Sequence, residues 1–258
     1  MKNNIKIIKR AAPLLAAAVW IGLWWLAAAI LNKPLILPSP LAVLQALWQL
    51  LQTADFYRTV AFSIGRILAG LSAAILGGAL LALLTTKRVF YHFFSPLLSI
   101  LKSTPVVSVI FLVLLWSGRD TAPALIAFSM ALPVVWGNLR EGLAAADPKL
   151  LEMARLFSVS PVKRLFRLQL PMLLPYLLAA CRSAVTLAFK SGIAAEVLCL
   201  PQESIGRAIY EGNWYLLTDE LFAWTLVVIL LGAAAERLTL LAVKRIGGDR
   251  FEEVKPHD

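Results

Sequence analysis

Six long stretches of the chain carry almost no charged residues, and they constrain its fold more than any other feature. They are residues 11–31, 67–86, 103–117, 121–139, 171–200 and 221–235. A helix needs roughly 20 apolar residues to cross a bilayer, and half-polar turns at its ends extend the shorter stretches. Backbone polar groups in lipid must be satisfied within their own segment, which favours helices. The sequence therefore predicts an all-α, polytopic membrane protein with about six transmembrane helices, forming a single domain over residues 1–258.

The charge pattern predicts how these helices are oriented. The net charge is +10, which by itself would suit a nucleic-acid-binding protein. With the N-terminus placed inside, however, the inner segments hold 17 Lys and Arg residues and the outer segments hold 4. Basic residues concentrate in cytoplasmic loops of membrane proteins. We therefore expect both termini to be cytoplasmic, and the basic excess needs no nucleic acid to explain it.

The N-terminal segment resembles a secretory signal, with basic residues ahead of an apolar run. That run extends over about 20 residues, whereas the apolar core of a cleaved signal has about 7–15. We interpret it as a retained first span. After it, Ser39 and Pro40 form an N-cap and first-position pair, which predicts a short helix on the outer membrane surface.

Glycines and prolines predict how the middle spans pack and bend. Small residues let helix backbones approach closely in membranes, and the second span contains four glycines: Gly65, Gly70, Gly77 and Gly78. A short inner loop over residues 85–95 is expected next, with the third span beginning near Pro96. Pro105 and Pro133 predict irregular or kinked spans, which membrane proteins tolerate where neighbouring groups satisfy the freed carbonyls.

The segment over residues 147–171 is the longest polar interruption between spans. Asp147-Pro148 and Ser160-Pro161 each combine an N-cap residue with a first-position proline, so the segment predicts two short helices joined at a corner. The first helix is expected to bury an apolar side that includes Leu150, Leu151, Ala154 and Phe157. The pair could simply rest on the inner membrane surface, or it could bind a cytoplasmic partner. Pattern alone leaves both interpretations open.

The spacing within this segment resembles the cytoplasmic EAA loop of permease subunits of binding-protein-dependent ABC importers. The family pattern is Glu-Ala-Ala, three residues, Gly, nine residues, Ile, one residue, Leu-Pro. This chain keeps every interval but has Met153 for Ala, Ser158 for Gly and Leu168 for Ile. The resemblance extends over nearly the whole chain and is strongest to permeases of the nitrate/sulfonate/taurine type. Further support comes from "LPSPLAVLQAL", "GIAAEVL" and "SIGRAIYEG…TDELFAW".

The resemblance implies a type I importer permease in a bacterial cytoplasmic (inner) membrane. Its implied partners are two copies of a cytoplasmic ATP-binding subunit, a second permease copy in a homodimer, an external substrate-binding protein and membrane lipid, with no nucleic acid. The segment would dock on the ATPase and drive alternating access. The residues assigned to ATPase coupling are Glu152, Met153, Ala154, Arg155, Phe157, Ser158, Leu168, Leu170 and Pro171.

Polar residues within the fifth span suggest a path for a solute. Arg182, Thr186 and Lys190 recur at four-residue intervals and form a slanting stripe, and Glu196 follows them. Ionisable groups inside a membrane are costly and usually face a cavity or a partner. We assign these four residues to a translocation path for an anion. Alternatively, Arg182 snorkels or pairs near the inner surface, while Lys190 and Glu196 form structural pairs between helices. Arg66 is expected to pair with an acid at the outer interface.

The last outer segment, residues 201–220, has two interpretations. Its aromatic residues Tyr210, Trp214 and Tyr215 are typical of a belt at the membrane–water interface. By resemblance, the segment is also where an external binding protein would dock. Its acids Glu203, Glu211, Asp219 and Glu220 fit docking better than a belt.

The chain offers no sign of catalysis. It lacks the glycine-rich Gly-x-x-x-x-Gly-Lys-[Ser/Thr] loop that cradles phosphates, so ATP hydrolysis is assigned to a partner. Cys181 and Cys199 would lie about 27 Å apart on one helix and cannot form a disulfide. No catalytic residue, metal site or cofactor is predicted. The alternative function is a self-sufficient secondary transporter or channel whose inner helices only anchor the membrane surface.

Overall fold

The computed structural model describes residues 2–145, 152–153, 156–157, 159–160, 163 and 170–247. The regular elements of these residues are all helices. They are α1 (Lys2–Leu31), α2 (Pro40–Leu51), α3 (Ala54–Leu84), α4 (Arg88–Ser103), α5 (Val106–Ser117), α6 (Ala122–Ala144), α7 (Leu170–Cys199), α8 (Ile205–Trp214) and α9 (Thr218–Gly247). The predicted all-α class is confirmed. We call the end of the bundle that carries α2 and α8 the outer end, following the charge distribution.

Four helices are long and apolar enough to cross a membrane: α3, α6, α7 over Met172–Cys199 and α9 over Thr218–Ala242. A fifth candidate is the pair α4 and α5, which meet at an angle of 109°. The described apolar part of α1, Leu15–Leu31, is shorter. The chain is therefore a multi-pass membrane protein, while six spans and the cytoplasmic location of both termini stay predictions.

The third predicted span is broken, for a reason encoded in its sequence. Thr104 precedes Pro105 and has φ −77° and ψ 132°, an extended conformation. The Pro105 ring disfavours helical geometry in the residue before it, so α4 ends there and α5 leaves in a new direction. The predicted loop over residues 85–95 is wrong from Arg88 onward, whereas the entry of this span into the membrane near Pro96 stays a prediction. Pro96 lies inside α4, which begins at Arg88, because one proline removes a single hydrogen bond and need not end a helix.

Helix α6 lies at the centre of the bundle between α3 and α7. Ile126, Ala127, Ala131 and Val135 on α6 have no exposed surface. Pro133 lies within α6 without ending it. The core continues through Ala184, Val185 and Ala188 of α7, which are also fully buried. Three helices that are buried on facing sides form the scaffold on which the outer segments are held.

Three of the four predicted glycine contacts join α3 to α6, at Gly70, Gly77 and Gly78, and the fourth is absent. A Cβ at Gly70 would lie 2.1 Å from the Ala124 carbonyl oxygen, and one at Gly78 would lie 2.7 Å from a Val135 methyl. Close approach at these glycines is confirmed. At Gly65 nothing lies within 4 Å of an added Cβ. The prediction was wrong there because Gly65 is on a face of α3 that meets no described neighbour.

Helix α2 begins where the sequence predicted, while its location on the outer membrane surface stays a prediction. Ser39 accepts a hydrogen bond from the Ala42 N–H, and Pro40 is the first helical residue. Val43 and Ala46 are buried against Ala223 of α9, whereas Leu41 and Trp48 on the other side are exposed. Such a helix packs on the bundle with one face and presents the other to the membrane interface.

Candidate functional site

The residues assigned to ATPase coupling lie partly outside the described part of the chain. Ala154, Arg155, Ser158 and Leu168 are outside it. Glu152 and Met153 are helical and exposed. Leu170 is the first residue of α7 and Pro171 the second. The Lys163 N–H donates to the Ser160 Oγ at 3.4 Å, as the predicted N-cap at Ser160 requires.

Phe157 differs from its prediction. It was expected to be buried on the apolar side of the first short helix, but 76% of its surface is exposed. Leu156 is 85% exposed and Met153 is 51% exposed. No described residue covers these three large apolar side chains, and we call them together the apolar patch.

The polar stripe on α7 is exposed along its length, but its members are not equivalent. Arg182 donates through Nε to the Glu236 carboxylate on α9 at 2.7 Å. The structure thus shows the pairing that was the alternative interpretation of Arg182, and its assignment to the translocation path stays a prediction. The Thr186 hydroxyl donates to the Arg182 carbonyl oxygen at 3.2 Å. Lys190 is exposed and forms no ion pair with any residue that the structure describes.

Glu196, the fourth residue assigned to the path, lies away from this stripe and has no exposed surface. Its Oε2 accepts a hydrogen bond from the Ser63 hydroxyl of α3 at 2.8 Å and another from the Gly206 N–H at 3.1 Å. Its Oε1 lies 3.8 Å from Nη1 of Arg66. The structural alternative for Glu196, a pairing between helices, is confirmed. A solute passing Lys190 would not meet this carboxylate in the arrangement seen here.

Glu196 belongs to a group of side chains that cap helix α8. The first three N–H groups of α8 are all satisfied by side chains: Ile205 by Ser63 at 2.9 Å, Gly206 by Glu196 and Arg207 by Ser204 at 3.2 Å. Unpaired N–H groups at a helix start favour a nearby negative charge. Two of the three caps come from α3 and α7, so they fix the start of α8 against the scaffold.

Gly206 allows this arrangement because it has no side chain. A Cβ there would lie 2.3 Å from the Glu196 Cβ and 2.5 Å from the Val197 nitrogen. The turn leading into α8 also contains Leu200 and Glu203 at φ 51° and φ 48°. Such values are uncommon for residues other than glycine. The surrounding contacts must therefore stabilise the turn.

Arg66 supplies several of those contacts at the outer end of α3. Its guanidinium donates to the carbonyl oxygens of Gln202 and Glu203 at 3.0 and 3.2 Å, and it lies 3.4 Å from the Asp120 carboxylate. The prediction that Arg66 pairs with an acid is confirmed. Because Asp120 belongs to the turn between α5 and α6, Arg66 joins that turn to the start of α8.

The acids of the outer segment have partners within the chain. Glu203 pairs with Arg58 at 2.7 Å, and Glu211 pairs with Arg207 at 2.7 Å. Asp219 and Glu220 lie in the first turn of α9, where negative charge is favourable. Each acid thus has a local structural role, so their number alone no longer argues for a docking surface.

Sequence reasoning missed Ser63 and Gly206 altogether. Each is an unremarkable residue in its own segment, and Ser63 lies 133 positions from Glu196. A serine inside an apolar span is a weak signal, because it can bond to its own helix. Ser204, a residue type that favours the N-cap position, was the one local signal for the start of α8.

Comparison with known families identifies the family to which this bundle belongs. Residues 74–248 match the family described as binding-protein-dependent transport system inner membrane component. The chain belongs to this family. Membership confirms the resemblance derived from the EAA-like spacing and the outer motifs.

Individual members of the family resemble the chain over most of its length. The putative aliphatic sulfonates transport permease protein SsuC of Escherichia coli (strain K12) is 28% identical over 238 residues, which are 90% of this chain and 89% of the relative. The nitrate import permease protein NrtB of Leptolyngbya laminosa is 27% identical over 208 residues, 75% of this chain and 72% of the relative. Both are permease proteins.

A solved structure shows the same fold. The crystal structure of a bacterial alginate ABC transporter, in complex with an alginate pentasaccharide-bound periplasmic protein, includes a chain that matches with a TM-score of 0.55. The match covers 94% of this chain and 97% of that one, at 18% identity. At this identity the likeness shows the helical fold alone.

Proposed function

We propose that the chain is the permease subunit of an ATP-driven importer for a small anion, in a bacterial inner membrane. It acts as a homodimer with two copies of a cytoplasmic ATPase and receives solute from an external binding protein. The chain itself hydrolyses no ATP. Alternating access moves the anion past Lys190, and the segment over residues 147–171 transmits the motion of the ATPase.

The observation that carries the coupling proposal is the apolar patch of Met153, Leu156 and Phe157. Large apolar side chains exposed together are a feature of protein–protein or membrane contacts. In this chain they lie beside Glu152, a charged residue whose side chain is exposed as well. Apolar residues with charge at the margin match the composition of interfaces, which have an apolar core and a polar rim. An ATPase groove is the partner that the family resemblance implies.

The choice of an anion as solute rests on Lys190. An exposed ammonium group on a membrane-spanning helix, without a counter-charge in the described residues, favours a negatively charged solute. The names of the two relatives, which refer to aliphatic sulfonates and to nitrate, support the same class. Arg182 adds little free positive charge, because Glu236 neutralises it.

Co-purification tests the coupling proposal. We expect an affinity-tagged chain, expressed with the ATPase encoded beside it, to retain the ATPase in equal amounts. Glu152→Arg should release most of the ATPase, because it places a basic side chain at the edge of the docking patch. Glu141→Arg is the matched control, since Glu141 is exposed near the end of α6. Equal retention by both variants would contradict a coupling role for residues 147–171.

A further inference from the structure

A cleft of about 250 Å³ opens at the outer end of the bundle, where α7 leads into α8. One wall is Arg119, in the turn between α5 and α6. The rest of the lining is the residue after α7, four residues of α8 and the residue that follows α8: Leu200, Arg207, Tyr210, Glu211, Trp214 and Tyr215. None of these residues belongs to the polar stripe of α7 or to the coupling segment.

The cleft has a positive charge that the chain itself does not neutralise. Of its two arginines, Arg207 is paired with Glu211 through a 2.7 Å contact, so this pair contributes little net charge. Arg119 is exposed and forms no ion pair with any described residue. A guanidinium is always protonated and offers a planar set of donors that suits the oxygens of carboxylate, sulfonate or phosphate groups. The free polar group of the cleft thus favours an anion.

Three of the remaining lining residues are aromatic. The rings of Tyr210 and Trp214 stack with centroids 6.1 Å apart and an interplanar angle of 13°. Trp214 is 68% exposed and Tyr215 is 67% exposed. Covering a water-exposed ring face with an apolar group is favourable, because it removes apolar surface from water. The ligand that suits this wall carries an apolar body beside its acidic group.

The two walls are held in a fixed relation. Arg66 joins the Asp120 side chain, next to Arg119 in sequence, to the carbonyls of Gln202 and Glu203 that precede α8. Glu196 and Ser63 cap the start of α8 from the scaffold. The cleft therefore keeps its shape without a ligand, and a preformed site lowers the entropic cost of binding.

We propose that this cleft is a binding site for a small organic anion, with the acidic group on Arg119 and the apolar body against Trp214 and Tyr215. It holds the solute at the outer end before the solute reaches Lys190, and in this respect it rests on the function proposed above. A volume of about 250 Å³ lies just below the roughly 300–1,000 Å³ typical of drug-sized ligands. A compact sulfonate or carboxylate therefore suits the cleft better than a large anion.

Ligand-observed NMR on the purified chain in lipid nanodiscs tests this site, with benzenesulfonate as the probe. We expect saturable binding that weakens by at least roughly tenfold in Arg119→Gln, because a charge-assisted contact is lost. Arg58→Gln is the matched control: it removes an arginine at the same end, one that is paired with Glu203. Benzylamine, of similar size but opposite charge, should not compete. Trp214→Ala should weaken benzenesulfonate more than it weakens methanesulfonate.

Three results would overturn the assignment: unchanged binding in Arg119→Gln, equal weakening in Arg58→Gln, or competition by benzylamine. Exclusion of benzenesulfonate from a dimeric preparation would also overturn it, since a second copy would then fill the cleft. The measurement needs neither ATPase nor ATP. If the ATPase does not co-purify and benzenesulfonate does not bind through Arg119, both proposals are wrong. If only the ATPase is lost, the coupling proposal is wrong, and if only the Arg119-dependent binding is missing, the cleft proposal is wrong.

Discussion

Lys190 and Arg182 share the exposed face of α7, about two helical turns apart, but only Arg182 has a counter-charge within the chain. The Arg182–Glu236 contact at 2.7 Å joins α7 to α9 and is available to hold the two helices together. Lys190 has no such partner among the described residues. A charge in a membrane segment is costly unless something compensates it. Among the described residues nothing compensates Lys190, and water, a second copy or the solute itself would supply that compensation.

We predict that Lys190→Met reduces uptake by at least roughly tenfold, because a charge-assisted hydrogen bond is worth about 1.5–3 kcal/mol and 1.4 kcal/mol corresponds to a factor of ten. Lys190→Arg should keep much of the activity. The measurement is uptake of radiolabelled alkanesulfonate and nitrate by cells that express the complete importer. Lys33→Met, a lysine in the segment between α1 and α2, is the control for charge loss. Normal uptake by Lys190→Met, at equal membrane levels of the protein, would rule out the path.

At the scale of elements, the contact between α3 and α6 depends on which face each glycine occupies. Gly65 and Gly70 belong to the same helix and are five residues apart. Five residues correspond to about 1.4 turns at 3.6 residues per turn, so the two positions point in different directions. Gly70 faces α6, where the Ala124 carbonyl leaves no room for a methyl group. Gly65 faces open space.

We predict opposite effects for two chemically identical substitutions in α3. Gly70→Ala should destabilise the bundle by about 1–3 kcal/mol, the usual cost of overpacking. Gly65→Ala should be neutral or stabilising by up to about 1 kcal/mol, since alanine is the better helix former. Thermal unfolding midpoints of the purified variants in detergent will compare them. Similar midpoints for the two variants would show that α3 and α6 do not pack as described.

At the scale of the whole molecule, the chain has the architecture of a permease but holds no phosphate-binding loop. Its apolar patch at Met153, Leu156 and Phe157 and its open cleft beside Arg119 are not covered by any helix that the structure describes. These features suit a subunit that completes its function with partners. They contrast with the alternative of a self-sufficient secondary transporter or channel, which would need no docking surface for an ATPase.

We predict that proteoliposomes containing this chain alone will not accumulate alkanesulfonate or nitrate, with or without an ion gradient. Vesicles that also contain the ATPase and the binding protein should accumulate the solute only when ATP is supplied. A catalytically inactive ATPase is the matched control, because it preserves assembly and removes hydrolysis. Transport by the chain alone, driven by a gradient, would favour the secondary transporter.

Much of the fold followed from signals that act over a few residues. The apolar runs predicted the spanning helices because burial in lipid depends on local composition. Pro105 predicted an irregular or kinked span because its ring restricts the residue before it, and the structure shows a break there. Ser39-Pro40 predicted the start of α2 because the N-cap residue and the first residue of a helix are adjacent in sequence. The polar stripe on α7 could be recognised in the sequence because its residues recur at the four-residue interval of a single helix.

Tertiary structure alone decided which polar residues share a site. Glu196 was grouped with Lys190 from sequence, but it turns inward to Ser63 on another helix and to the start of α8. Phe157 was expected to be buried, whereas no described residue covers it. Gly65 and Gly70 look alike in sequence and differ only in what lies opposite. In each case the outcome depends on a neighbour distant in the chain, and local pattern carries no information about that neighbour.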